Sequence, residues 1–279
     1  MPNIVKQSLI NQVQGIFNDG SRGEKPVVRQ TDGLFGPNSV TWRVHGDVTS
    51  MMVGGIAALL MQMLHPKVLA GVWDHSDFRN DMHGRLRRTA RFIALTTYGS
   101  RTEAEQAFAR VRAIHEHVGG KLPDGSSYHA NDEDLLLWVH ATETLCFLDA
   151  WRRYSEPAMS IADQDRYFAE TAIMARELGA GSVPTSRSAM LALIAQMRVD
   201  LQVDERTREV RKLVLNQSTS NLLAAPVQKL LGQAAVDLLP RWARRMHGLH
   251  SNPLVRPMVR SGTFGVAHTL RWAFTPTAG

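Results

Sequence analysis

The chain has 279 residues, enough for one large helical domain or two small ones whose core can enclose a cofactor. A hydrophobic fraction of 44% and a charged fraction of 21% exclude a disordered or fibrous class, and the single cysteine, Cys146, excludes an intrachain disulfide and a cysteine-rich zinc site. The net charge of +6 comes from scattered clusters (Arg85 to Arg91, Arg206 to Lys212, Arg241 to Arg245) without an aromatic-glycine signature or zinc-finger spacing, so no nucleic-acid surface is expected.

Residues 1–40 read as an irregular N-terminal segment after a short amphipathic start, because Gly20, Gly23, Pro26, Gly33, Gly36 and Pro37 interrupt any long element. Lys6, Gln7, Asn11 and Gln12 break up the apolar residues of the start, which therefore lacks the continuous core of a signal peptide. Residues 41–279 read as one helical domain. A helix from about Thr49 to Leu64 stops at Pro66, which cannot continue the hydrogen-bond ladder, and a short helix covers Pro66 to Trp73. Asp74 to His83 is a polar turn. Gly84 then opens a helix to Tyr98, and Thr102 to Val118 forms the next, stopped by Gly119 and Gly120.

After a loop containing Pro123, Asp124 and Gly125, a helix runs from about Asp132 to Tyr154, its acidic start complementing the helix dipole. Further helices fit Ile161 to Leu178, Ser186 to Val199, Thr207 to Leu215, Pro226 to His247 and Leu254 to Phe274. Alternating Val/Ile/Thr runs, Asn-Gly hairpins and fixed-period repeats are absent, so the predicted fold class is all-α. The most apolar run, Met51 to Leu64, spans 14 residues, short of the roughly 20 that cross a membrane. It reads as a core helix, and the expected location is the cytoplasm. Trp242, Arg244, Arg245, Trp272 and Phe274 mark an amphipathic C-terminal third suited to peripheral contact with a membrane or partner.

Eleven histidines are the best chemical lead. On the helix from Thr102 to Val118, Ala104, Ala107, Phe108, Val111, Ile114 and Val118 define one apolar face. His115 falls within that face, and His117 on the polar side. An imidazole on a core face needs a hydrogen bond or a metal for its ring nitrogens; the spacing leaves both open. His140, in a helix apolar nearly all round, is a rival ligand. His65, before Pro66, is placed to meet helix-end carbonyls. Asp74, His75, Asp77, Asp81 and His83 lack the spacing of a zinc or di-iron motif and read as a polar capping segment. Arg85, Arg88 and Thr89, at i, i+3 and i+4, share a helix face suited to a carboxylate or a polarised oxygen. Arg87 and Arg91 fall off that face and read as solvent-exposed.

Several segments together resemble a known family: Phe35-Gly36-Pro37, Trp42-Arg43-Val44-His45-Gly46, Gly54 to Gln62, Leu64-His65-Pro66, Gly71 to Ser76, Arg85-Leu86-Arg87-Arg88-Thr89, Val111 to His115 and Trp138-Val139-His140-Ala141-Thr142. In order and spacing they are similar to the rubber oxygenases (latex clearing proteins) and the mycophenolic-acid-pathway oxygenase, over roughly residues 35–215. The resemblance implies an all-helical fold carrying haem b, with dioxygen used at ferrous iron. It places the proximal iron ligand on His115 and the family's Arg-x-x-Lys-Thr motif on Arg85, Arg88 and Thr89, which it marks as catalytic and cofactor-binding. Arg88 stands where the family has lysine, keeping the charge and changing the geometry. The family's catalytic glutamate has no counterpart in the matching region; Asp74, His75 and Asp77 are the substitutes. The expected substrate is small and hydrophobic, of isoprenoid type, rather than polymeric rubber. The alternative from another class is a non-catalytic haem- or lipid-binding helical protein.

Overall fold

The computed structural model describes residues 2–18, 23–216 and 224–275; Gly20, among the predicted helix breakers, and residues 276–279 of the predicted domain lie outside them. In chain order the helices are α1 (Pro2–Phe17), α2 (Val40–His45), α3 (Val48–Gln62), α4 (Pro66–His75), α5 (Met82–Tyr98) and α6 (Arg101–His115). Strands β1 (Gly119–Lys121) and β2 (Ser127–His129) follow, then α7 (Glu133–Tyr154), α8 (Ile161–Glu177) and α9 (Arg187–Met197). The chain ends with α10 (Glu205–Leu215), α11 (Ala225–Leu238), α12 (Arg241–His247) and α13 (Arg256–Phe274). The all-α reading holds, and the amphipathic start is helical from Pro2 to Phe17.

Short polar side chains set where these helices begin. Ser39, Asp47, Asp81, Ser100, Ser160, Ser186 and Asp204 each accept a hydrogen bond from a first-turn backbone N–H, satisfying donors that have no partner within the helix. Helix α5 starts at Met82, ahead of the predicted Gly84. Gly84 contributes space instead, since a Cβ there would collide with the capping carboxylate of Asp81. The single helix expected over 226–247 is two helices, α11 and α12, parted at Pro240. Gly248, at φ +63°, ends α12 in the left-handed conformation that glycine adopts freely.

The segment between α6 and α7, expected to be a loop, is an antiparallel hairpin pairing Gly119 with His129 and Lys121 with Ser127. Three-residue strands are too short to show alternation, which is why the sequence pattern missed them. Gly125, at φ +87°, makes the turn. The hairpin is tied to α4: Tyr128 donates to Asp74 at 2.9 Å, and His75 to the Gly119 carbonyl at 3.0 Å.

Helices α3 and α7 cross at the centre. At Gly54 the backbones approach so closely that a Cβ would lie 2.9 Å from both the Cys146 carbonyl oxygen and the Phe147 Cα. Trp138 donates its indole N–H to the Gln62 carbonyl at 3.3 Å, adding a polar link to the apolar contact. Arg271 of α13 clamps both helices, bonding Asp47 before α3 at 2.6 Å and the Tyr154 carbonyl at the end of α7 at 2.9 Å. Cys146 is buried as expected, its thiol against Met61 Sδ at 3.6 Å.

Helices α5 and α6 are joined by two residues and fold back on each other. Phe92 and Phe108 meet edge to face at 5.6 Å. Arg85, in the first turn of α5, and His115, at the end of α6, thus lie toward the same end of this pair.

We expect Gly54→Ala to lower stability by roughly 1–3 kcal/mol, because its methyl group enters a filled contact. At Gly55 a new Cβ meets only Phe147 Cε1, at 3.7 Å, so Gly55→Ala should be neutral or stabilising. Urea midpoints of the two variants test the difference; equal midpoints would contradict the close crossing.

Candidate functional site

His115 is the last residue of α6 and is half-buried. Its Nδ1 is enclosed and lies near the Asn131 side chain, whose Oδ1 is enclosed too, without reaching hydrogen-bond geometry. Burial holds the imidazole below its usual range, with the Asn131 interaction opposing and the charge of His129 adding to the shift. A neutral ring follows, with Asn131 the one polar side chain beside its Nδ1. The apolar face predicted for this helix is less complete than expected: Ala104, Ala107 and Phe108 are buried, whereas Ile114 is 56% exposed. His117 is exposed and bonds the Ala113 carbonyl at 2.9 Å, a helix-end role.

The three residues predicted to share a face differ in environment. The Arg85 guanidinium is enclosed, donates to Ser76 Oγ at 3.1 Å, and is lowered to about 10, first by burial and then by the charge of Arg88. Arg88 is exposed and pairs with Asp81 at 3.5 Å. Thr89 is exposed too, its hydroxyl donating to the Arg85 carbonyl at 3.3 Å. The expectation that Arg87 and Arg91 are the solvent-facing members is corrected. Both are half-buried, and Arg91 bonds the Lys25 carbonyl at 3.0 Å, because the chain leading from α1 covers that side of α5.

Other histidines define the contrast. His45 is buried with both nitrogens satisfied, by Thr97 at 2.8 Å and Tyr167 at 2.9 Å, and burial lowers it to about 3. His247 uses Nε2 on the Leu60 carbonyl at 2.8 Å, while its Nδ1 is enclosed without a partner. His140 is buried with Nε2 unpartnered, and is lowered to about 4 by burial and then by Arg176. His65 precedes α4 but makes no side-chain capping bond there, and its Nδ1 is enclosed without a partner. That differs from the expected contact with helix-end carbonyls, since the ring turns toward Trp138, 6.2 Å away.

Asp74, His75, Asp77 and Asp81 serve as hydrogen-bond partners and caps, and among the described residues no group of three or more His, Cys, Asp or Glu is placed to hold a metal ion.

One ionisable group escaped the sequence reading. Glu143 lies one turn beyond His140 on α7. Part of its side chain stays accessible, but its carboxyl is enclosed, and burial pushes it up to about 7. Its charge also raises the neighbouring Tyr167 and Cys146, which places it on the α7–α8 side of the core. The signal was the carboxylate that follows the apolar run from Leu135 to Thr142, at i+3 from a buried histidine.

Two surface cavities are prominent, one of about 690 Å³ along α1 and one of about 480 Å³ between α7 and α13; neither is lined by His115, His140 or Arg85.

The fold and these groups define an all-helical protein whose interior holds several ionisable side chains in uncharged form. The family model described as "ER-bound oxygenase mpaB/B'/Rubber oxygenase, catalytic domain" matches residues 42–272, and the chain belongs to that family. No curated protein and no solved structure matches the chain. Membership makes this an oxygenase-type catalytic domain, with dioxygen and an organic substrate as its partners and a haem-type cofactor suggested by the rubber oxygenases.

For Glu143 the direction of the pH effect follows from proton counts. Between the ordinary carboxyl range near 4.5 and about 7 the folded state keeps a proton that the unfolded state has released, so stability falls as pH rises through that window. Glu143→Gln should remove this loss, its urea midpoint gaining on the wild type between mildly acidic and mildly alkaline buffer. A constant difference at all pH values would show an ordinary carboxyl.

Proposed function

We propose that the protein is a haem b-dependent oxygenase acting on a small hydrophobic substrate, of isoprenoid type. The observation that supports it most is the enclosed Nδ1 of His115, which reaches hydrogen-bond geometry with no side chain although Asn131 lies near it, on a helix packed against the one that carries the buried guanidinium of Arg85. An unsatisfied buried imidazole nitrogen is costly unless a ligand takes it up.

The residues present suit the cofactor. His115, kept neutral by burial, offers a lone pair to iron. Arg85 donates one hydrogen bond to Ser76, and the remaining N–H donors of its five suit a propionate carboxylate. Arg88 and Thr89, on the exposed side, are assigned to the rim of the same site. Haem bound there supplies the iron that activates dioxygen. Glu143, whose carboxyl burial pushes up to about 7 on the α7–α8 side of the core, is a further candidate for the proton-handling part that the sequence offers to Asp74, His75 or Asp77. Those three are engaged in hydrogen bonds near the hairpin and loop. His140, equally enclosed, is the second candidate for iron.

Purified protein supplemented with haem should show a Soret band that shifts on reduction and on adding carbon monoxide. His115→Ala should abolish haem retention and His117→Ala leave it intact; loss in His140→Ala with His115→Ala still coloured would transfer the ligand to His140. Arg85→Gln should weaken haem occupancy with unchanged circular dichroism. Substrate-dependent oxygen uptake separates an enzyme from a non-catalytic haem- or lipid-binding protein. A colourless protein under all conditions overturns the proposal.

A further inference from the structure

Asp237, near the end of α11, is a carboxylate shared by four arginines. Its side chain is 3% exposed, and it meets Arg153 at 3.1 Å, Arg256 at 2.9 Å, Arg260 at 2.7 Å and Arg244 at 3.9 Å. Among the described residues no other carboxylate pairs with any of the four, so the cluster carries a local excess of positive charge. The sequence deepens the imbalance. From Leu238 to Gly279 there is no Asp or Glu, while Arg241, Arg244, Arg245, Arg256, Arg260 and Arg271 fall in that stretch.

Arg153 and Arg260 also line the cavity of about 480 Å³ between α7 and α13, together with Tyr154, Ser261 and Phe264. Tyr154 is 1% exposed, and its hydroxyl lies near Thr263 without reaching hydrogen-bond geometry. A buried phenol without a partner, beside guanidiniums with donors to spare, fits an anion with several oxygens, as a phosphate has.

The outward face of α13 favours one source of that phosphate. Met258, Ser261, Gly265, His268 and Trp272 form its exposed stripe. Met258 is 71% exposed and Trp272 42%, with Phe264 beside them at 46%. Lys6 of α1 lies over the Trp272 ring at 5.0 Å. Large apolar side chains flanked by arginines, with no acidic residue on the helix, match an interfacial lipid surface.

We infer that the α13 face docks on an anionic membrane, with a lipid phosphate held in the cavity by Arg153, Arg260 and Tyr154 and attracted by the neighbouring charge of Arg256. This stands apart from the haem reading, since neither His115 nor Glu143 takes part in it.

Sedimentation of the full-length protein with vesicles tests it. Binding is expected with phosphatidylcholine containing phosphatidylserine, not with phosphatidylcholine alone, and should weaken with added salt. Arg256→Gln and Arg260→Gln should each lower the affinity about fivefold, from roughly 1 kcal/mol per arginine near a charged surface. An exposed arginine elsewhere, Arg208→Gln, should leave it unchanged. Should an arginine variant melt at a lower temperature, Met258→Ser with Phe264→Ser is the second test and should also lose vesicle binding. Equal binding of wild type and both kinds of variant, or none by wild type, overturns the inference. So does stabilisation of the wild type by inorganic phosphate without vesicle binding, which would assign the site to free phosphate.

Discussion

The close crossing of α3 and α7 is the constraint on which the rest of the molecule depends. It exists because Gly54 has no side chain, so two backbones meet where methyl groups would otherwise hold them apart. Phe147 fills the space beside it, and Arg271 bonds one end of each helix. With that pair fixed, the neighbouring helices have surfaces to pack on, and α7 carries both His140 and Glu143 into the interior.

Burial controls the chemistry of that interior. Removing an ionisable group from water penalises its charged form, so histidines move down and carboxyls up. His45 shows the satisfied version, in which two hydroxyl groups take both nitrogens and the residue is structural. His115 and His140 each leave one nitrogen enclosed without a hydrogen bond, as do His65 and His247. The difference lies in the partners, since His45, His115 and His140 are held neutral by the same burial. A chain that leaves such atoms without partners gives up stability at those points, and a bound ligand is a natural reason to keep them.

Charge is distributed on a different principle at the C-terminal end. Around Asp237 the arginines crowd one another, and burial together with Arg256 lowers Arg244. The carboxylate holds them in register but does not neutralise them, which leaves that face attractive to anions.

Much of this was legible in the amino-acid sequence. Helical periodicity, proline and glycine stops and Ser/Asp caps are local signals, so the helices appear near their predicted places, and the motif order marked the family. The choice of His115 over His117 as the inward residue was also readable, because two positions along one helix point to different faces. Partners distant in the chain were not readable. That Arg87 and Arg91 are covered while Arg88 is exposed depends on where the N-terminal segment crosses α5. The hairpin depends on pairing across a turn, and the raised carboxyl of Glu143 on what α8 lays against α7. Sequence by itself determined which residues form helices and which sides of them are apolar. Tertiary structure alone decided which polar atoms lose water without gaining a partner, because desolvation is set by every segment that packs around an atom, however far away along the chain.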